Sequence, residues 1–148
     1  MVEKIKNLRA KTGAGVMDVK RALDQSGGDE KEALAWLKKQ GLGKVQKRSD
    51  RETTQGLVDS YIHLGKIGVL VEVNCETDFV ARNNDFKYFV HEIALHAAQS
   101  NAKAVGALMK EVYFRDEEKT LGDLLQEIIV KTGENIKVKR FVKYTLGK

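Results

Sequence analysis

Val2, Ile5 and Leu8 recur three residues apart, the spacing that gathers side chains on one face of a helix. That pattern is cut at Thr12-Gly13-Ala14-Gly15, where two glycines favour a tight helix–helix turn. Val16, Val19 and Leu23 predict a second helix that runs to Gly27-Gly28. A third helix opens on Asp29 as N-cap with Glu32 three residues on, a capping-box-like pair, and Gly41 is expected to stop it. So small a three-helix unit buries little, and Leu8, Leu34, Trp36 and Leu37 are the candidates for its core. Lys38, Lys39, Lys44, Lys47, Arg48 and Arg51 then make a basic stretch, expected to be a solvated linker with at most a helical turn.

From Gly56 the period changes to two. Val58, Ser60, Ile62 and Leu64 alternate with Leu57, Asp59, Tyr61 and His63 before Gly65-Lys66, and Ile67 to Asn74 returns with Val69, Val71 and Val73 on one face. An antiparallel hairpin follows, with a type II′ turn as the expectation because Gly65 stands at the first central position. Thr77 can cap a short helix whose first turn holds Asp78. A longer helix from about Asp85 to Gln99 carries the stripe Phe86, Phe89, Val90, Ile93, Ala94 and Ala97. Between Asn101 and Lys119 the pattern is weaker, with a short helix around Val105 to Lys110 and an extended piece at Val112-Tyr113-Phe114. Thr120, with Asp123 three residues on, caps a last helix that stops at Gly133. A closing strand, Ile136 to Leu146, is expected to place Ile136, Val138, Val142, Tyr144 and Leu146 on one face, with Lys137, Lys139, Lys143, Thr145 and Phe141 on the other. Two strands, helices and a third strand predict an α+β fold, a three-stranded antiparallel sheet packed with helices.

The composition fits one ordinary domain or a small module joined to a compact one: 148 residues, 42% hydrophobic and 32% charged. No apolar run approaches the length that spans a bilayer, and Met1-Val2-Glu3-Lys4-Ile5-Lys6 is charged, so a cytoplasmic protein without a signal peptide and without a membrane partner is expected. The single cysteine, Cys75, can form no internal disulfide and reads as a small buried strand residue. A net charge of +5 suits an acidic partner without choosing between nucleic acid and protein.

Catalytic chemistry finds little purchase. His91 and His96 stand five apart, well off a shared helical face, and His63 is alone in a strand, so all three are expected to have surface or packing roles. Gly41-Leu42-Gly43 follows a helix rather than a strand and is no dinucleotide loop, and no phosphate-loop sequence occurs. No cofactor, no metal and no enzymatic activity are expected. The basic segments could face phosphates, but the aromatics fall mostly on apolar stripes instead of among the cations, so direct nucleic-acid binding is not expected.

One segment stands apart. In Asn74-Cys75-Glu76-Thr77-Asp78-Phe79-Val80-Ala81-Arg82-Asn83 a buried strand hands over to a short helix that sets a charge beside a large aromatic. By its own chemistry Phe79 belongs in a core, and a rigid exposed tip is the alternative. Asn74 to Ala81 is similar to a signature of the elongation factor Ts family, and Thr12 to Leu23 is similar to that family's N-terminal signature. Basic stretch, hairpin and the closing Gly133-Glu134-Asn135-Ile136 follow in the family's order.

The resemblance implies a guanine nucleotide exchange factor for the translational GTPase elongation factor Tu. It implies a ubiquitin-associated-like three-helix domain over residues 1–42, a basic linker over 43–55 and an α+β core (dimerisation) domain over 56–148. In the family, the residues matching Asp78 and Phe79 enter the partner near its Mg²⁺ site and help dislodge the ion, so Thr77, Asp78, Phe79 and Val80 are the implied site. Arg9, Val16 and Met17 match contact positions of the N-terminal module. Typical members carry a coiled-coil hairpin before the last helix, and longer ones carry two copies of the core. This chain has no such hairpin and a single core, which implies a symmetric homodimer. A protein-binding adaptor of the ubiquitin-associated type and a basic RNA-binding protein are the rival readings.

Overall fold

The computed structural model describes all of residues 1–148. It divides into two compact units, Met1–Asp50 with Gln126–Glu134, and Arg51–Leu125 with Asn135–Lys148.

The first unit begins with α1 (Val2–Thr12), α2 (Val16–Gln25) and α3 (Glu30–Arg48). The α1 helix ends because Gly13 adopts φ 71° and returns its N–H to the Arg9 carbonyl, while the Thr12 hydroxyl accepts from the Ala14 N–H at 3.2 Å. Leu8, Val19, Leu23 and Leu37 form the buried centre, with Leu34 and Trp36 packed at its margin. Asp29 caps α3 by accepting from the Glu32 N–H at 2.9 Å. Asp29→Ala should therefore cost this unit about 1 kcal/mol. Denaturant unfolding followed by the fluorescence of Trp36, the only tryptophan, checks it.

Gly41 does not end α3, which runs on through residues expected to be linker as far as Arg48. Its role is close approach: a Cβ there would lie 2.7 Å from the Gln126 Nε2 and 3.4 Å from a Val130 methyl. Gln126 donates to the Lys38 carbonyl at 2.9 Å and Arg48 to the Ile129 carbonyl at 3.0 Å, so the helix extension has partners that a solvated linker would lack.

The second unit is an antiparallel sheet in the order β1 (Gln55–His63), β2 (Ile67–Cys75), β5 (Lys137–Thr145). Between β2 and β5 lie α4 (Asp78–Ala81), α5 (Asn84–Gln99), α6 (Val105–Met109), a small hairpin of β3 (Val112–Tyr113) and β4 (Asp116–Thr120), and α7 (Leu121–Thr132). Of α7, Leu121–Leu125 belong to this unit and the rest to the first. The expected reciprocal cap is complete: Thr120 N–H donates to Asp123 at 2.9 Å and Asp123 N–H to the Thr120 hydroxyl at 3.1 Å. The α5 helix lies over β1 and β2, burying Phe86, Phe89, Val90 and Ile93 with Val69, Val71 and Val73.

Two strand expectations change. Leu64 and Gly65 both have positive φ (53° and 67°), and Lys66 donates to the His63 carbonyl at 2.9 Å, the type I′ pattern rather than II′. In β5 the alternation breaks, because Val73 pairs with Val138 and Glu72 with Arg140, leaving Lys139 as the extra residue of a bulge. Val138 and Phe141 therefore share the helix-covered face, and Val142 and Tyr144 turn to the bare one, so the expected single stripe from Ile136 to Leu146 does not exist. Lys143 moves inward, and its ammonium donates to the Ser100 carbonyl at 2.7 Å. No helix of the chain is long and apolar enough to cross a membrane.

Candidate functional site

The Thr77–Val80 corner begins where β2 ends. Cys75 is buried, and its thiol donates to the Thr77 carbonyl at 3.1 Å. Thr77 is extended (φ −124°, ψ 154°), and its hydroxyl accepts from the Val80 N–H at 3.2 Å, so the chain turns from strand to helix within one residue. Ala81 N–H to the Thr77 carbonyl and Arg82 N–H to the Asp78 carbonyl complete a single turn. Asn83 then caps α5, accepting from Asp85 N–H at 2.8 Å.

That turn sorts its residues sharply. Val80 and Ala81 are buried, whereas Phe79 is 75% exposed and Asp78 stands in solvent beside it. Successive helix residues diverge by about 100°, so anchoring Val80 in the core leaves Phe79 pointing away from it. The core placement that its own chemistry favours is thus excluded. An exposed phenylalanine forgoes the roughly 1.5–3 kcal/mol that full burial of its side chain would contribute.

Arg82, absent from the sequence-based site, holds a guanidinium nitrogen 3.5 Å from the Asp78 carboxylate. Its four-residue spacing on a helix is the signal that could have found it. Glu76 is a second residue that sequence reasoning missed. Its carboxylate accepts from the Asn135 N–H at 2.9 Å and lies 3.6 Å from the Arg51 guanidinium. No local pattern reports this contact, because its three residues come from distant parts of the chain.

In the helical unit, Val16 and Met17 open α2 and are exposed, Met17 at 61%. Arg9 is exposed as well, with Nε donating to the Ala14 carbonyl at 3.3 Å. Arg9 belongs to α1, and Val16 and Met17 belong to α2.

The remaining polar clusters serve packing. Glu92 is only 2% exposed, and its carboxylate accepts from the Tyr113 hydroxyl and from Arg115 through Nε (2.5 Å) and Nη2 (3.2 Å). Burial, then the Glu92 carboxylate, pushes the Tyr113 hydroxyl pKa far up, so it stays a donor at any ordinary pH. This two-point clamp fastens the β3–β4 hairpin to α5. His96 faces Glu111 at 3.0 Å, and His91 faces Asp59 at 2.9 Å. No group of His, Cys, Asp and Glu is arranged to hold a metal ion. The basic stretch is partly neutralised, with Lys44 on Asp18 at 2.6 Å and Arg51 near Glu76.

The outer face of the sheet carries Val58, Ile62, Leu70, Val142 and Tyr144, all exposed, around the Glu72–Arg140 ion pair at 2.8 Å. Arg140, donating a hydrogen bond, holds the Glu72 carboxyl below its usual range.

Residues 76–148 match the family model described as Elongation factor TS. A curated relative from Nostoc sp., named Elongation factor Ts, is 46% identical over 143 residues, spanning 96% of this chain and 45% of its own length. The Elongation factor Ts of Coprothermobacter proteolyticus is 40% identical over 189 residues, covering 97% of this chain and 96% of that protein. That of Acaryochloris marina is 41% identical over 190 residues, covering 97% and 80% respectively. The last two alignments are longer than this 148-residue chain, so these relatives contain an internal stretch that it lacks.

Proposed function

The chain belongs to the elongation factor Ts family of translation elongation factors, and we propose that it releases GDP from elongation factor Tu by inserting the Thr77–Val80 tip beside the GTPase's Mg²⁺ site. The observation that carries this reading is Phe79, an aromatic held 75% exposed on a capped single turn whose next two residues are buried. Phe79 wedges between helices of the GTPase, and Asp78 disturbs the groups around the partner's ion. Arg9, Val16 and Met17 supply a second grip through the helical unit. No bond is made or broken. By linkage, whatever factor the protein takes from nucleotide affinity, nucleotide takes from affinity for the protein, so GTP in turn ejects it. The cytoplasm, where translation runs, is the expected place of action.

Stopped-flow release of a fluorescent GDP from purified elongation factor Tu, with and without this protein, tests the reading. Acceleration supports it; an unchanged release rate removes it.

The second core found in longer relatives is supplied, in this reading, by a second copy. The bare outer face of the sheet supports it, being apolar around Glu72 and its partners Arg140 and Lys139, so that two copies related by a twofold axis can cover each other. Light scattering at micromolar concentration should give a dimer for the parent chain and a monomer for the Ile62→Lys/Val142→Lys double variant, since each lysine would bury an unpaired charge. A monomeric parent with full exchange activity removes the dimer.

A further inference from the structure

The single turn of α4 is too short to hold its own direction, because one helical turn does not offset the cost of ordering it. Its bearing must come from what flanks it. Towards its C-terminal end, Val80 and Ala81 are buried, and Asn83 leads into α5. On the other side stands Glu76, next to the capping Thr77, with a side chain only 19% exposed.

Three segments of the chain meet at Glu76. Arg51 comes from the segment before β1, Asn135 from the segment before β5, and Glu76 from the corner itself. Glu76 Oε2 accepts from the Asn135 backbone N–H at 2.9 Å and lies 3.6 Å from an Arg51 guanidinium nitrogen. Asn135, 4% exposed, closes the ring by donating its side-chain amide to the Arg51 carbonyl at 2.8 Å. A half-buried carboxylate that accepts from a backbone N–H and faces a guanidinium is more constrained than a freely solvated surface pair, and the Asn135–Arg51 hydrogen bond ties its two partners together.

We propose that Glu76, Arg51 and Asn135 are positioning residues for exchange, a three-way buckle that fixes the direction in which Asp78 and Phe79 leave the core. The inference rests on the exchange reading above. None of the three touches the partner; they act through the tip. With the buckle intact the tip arrives already aimed, and the partner need not order it. Without it the tip samples other directions, and a misplacement of about 1 Å in a reacting constellation can cost as much as 10²-fold.

The test measures GDP release from elongation factor Tu across a range of factor concentrations, separating the maximal rate from the concentration that gives half of it. Glu76→Gln keeps an acceptor for the Asn135 N–H but loses the charge facing Arg51, and should lower the maximal rate roughly 3-fold; Glu76→Ala loses both and should lower it roughly 10-fold. The half-saturating concentration should stay within about 2-fold, because the grip of the helical unit is untouched. In a Phe79→Ala background the same Glu76 substitutions should matter less than about 2-fold, since a buckle has nothing left to aim.

Equal losses in both backgrounds, or a weaker half-saturation with an unchanged maximal rate, overturn the inference. If Glu76→Ala fails to fold, the near-isosteric Glu76→Gln decides by the same criteria. An active parent with unaffected Glu76 variants overturns the buckle alone, whereas an inactive parent overturns the exchange reading and the buckle with it.

Discussion

Replacing Phe79 with alanine should slow catalysed GDP release by roughly 10–100-fold, equivalent to about 1.4–2.7 kcal/mol of lost coupling to the partner. The ring is 75% exposed in the free protein, so its removal leaves no cavity and little buried area is lost. Thermal stability should stay within about 0.5 kcal/mol of the parent, the range of ordinary surface substitutions. That split between function and stability is the informative part. Val80→Ala is the counter-experiment: Val80 is buried, so its truncation should cost about 1–3 kcal/mol of stability and impair exchange only through the tip it anchors. Circular dichroism melts beside stopped-flow release rates check both. Unchanged release by Phe79→Ala would remove the wedge, and a collapsed fold would return Phe79 to the core.

Gly56→Ala should be the most damaging single change to the fold, at about 3 kcal/mol or more. Gly56 sits in β1 opposite Asn74 with φ 148°, a conformation that side chains rarely adopt. A Cβ there would fall 2.1 Å from the Val73 carbonyl oxygen and 2.8 Å from the Asn74 Cα. Both are backbone atoms of the central strand, so no rotamer change relieves the clash, and β1 must part from β2. Gly68, in β2, is the control: a Cβ there would meet nothing within 4 Å, and its alanine variant should be close to neutral. Urea unfolding measures both; a loss below about 1 kcal/mol at Gly56 would show that the strands adjust more freely than their pairing allows. Because Asn74 lies three residues before Thr77, exchange should suffer as well.

Much of the fold is legible in the sequence because its signals are local. The caps at Asp29, Thr77 and Thr120 each satisfy a backbone N–H within three residues, and the structure forms all three. The period-two hairpin and the α5 stripe report a face that any packing partner must cover. The β4 strand is not legible: Asp116-Glu117-Glu118-Lys119-Thr120 has no alternation of apolar residues, and its strand conformation shows only in its pairing with β3. Gly41 misleads for a related reason, since a glycine that stops a helix and one that admits a neighbouring side chain look alike in a sequence.

The Thr77–Val80 tip shows the same boundary. Thr77 and Asp78 announce a strand-to-helix corner by residue type alone, and the signature around them points to the family. Which way Phe79 faces does not follow from those residues, because burial depends on whether another element lies over the position. Here Val80 takes the core side and Phe79 is left outside. The bulge at Lys139, the burial of Glu92 by Tyr113 and Arg115, and the meeting of Arg51, Glu76 and Asn135 belong to the same class. Apart from β4, the sequence by itself determined the order and type of the elements and where most of them begin, since hydrogen bonds to a neighbour a few residues away are set by the chain itself. Only the tertiary structure decided which faces are covered and which distant charges are paired, since those energies depend on groups brought together from 21 to 84 residues apart.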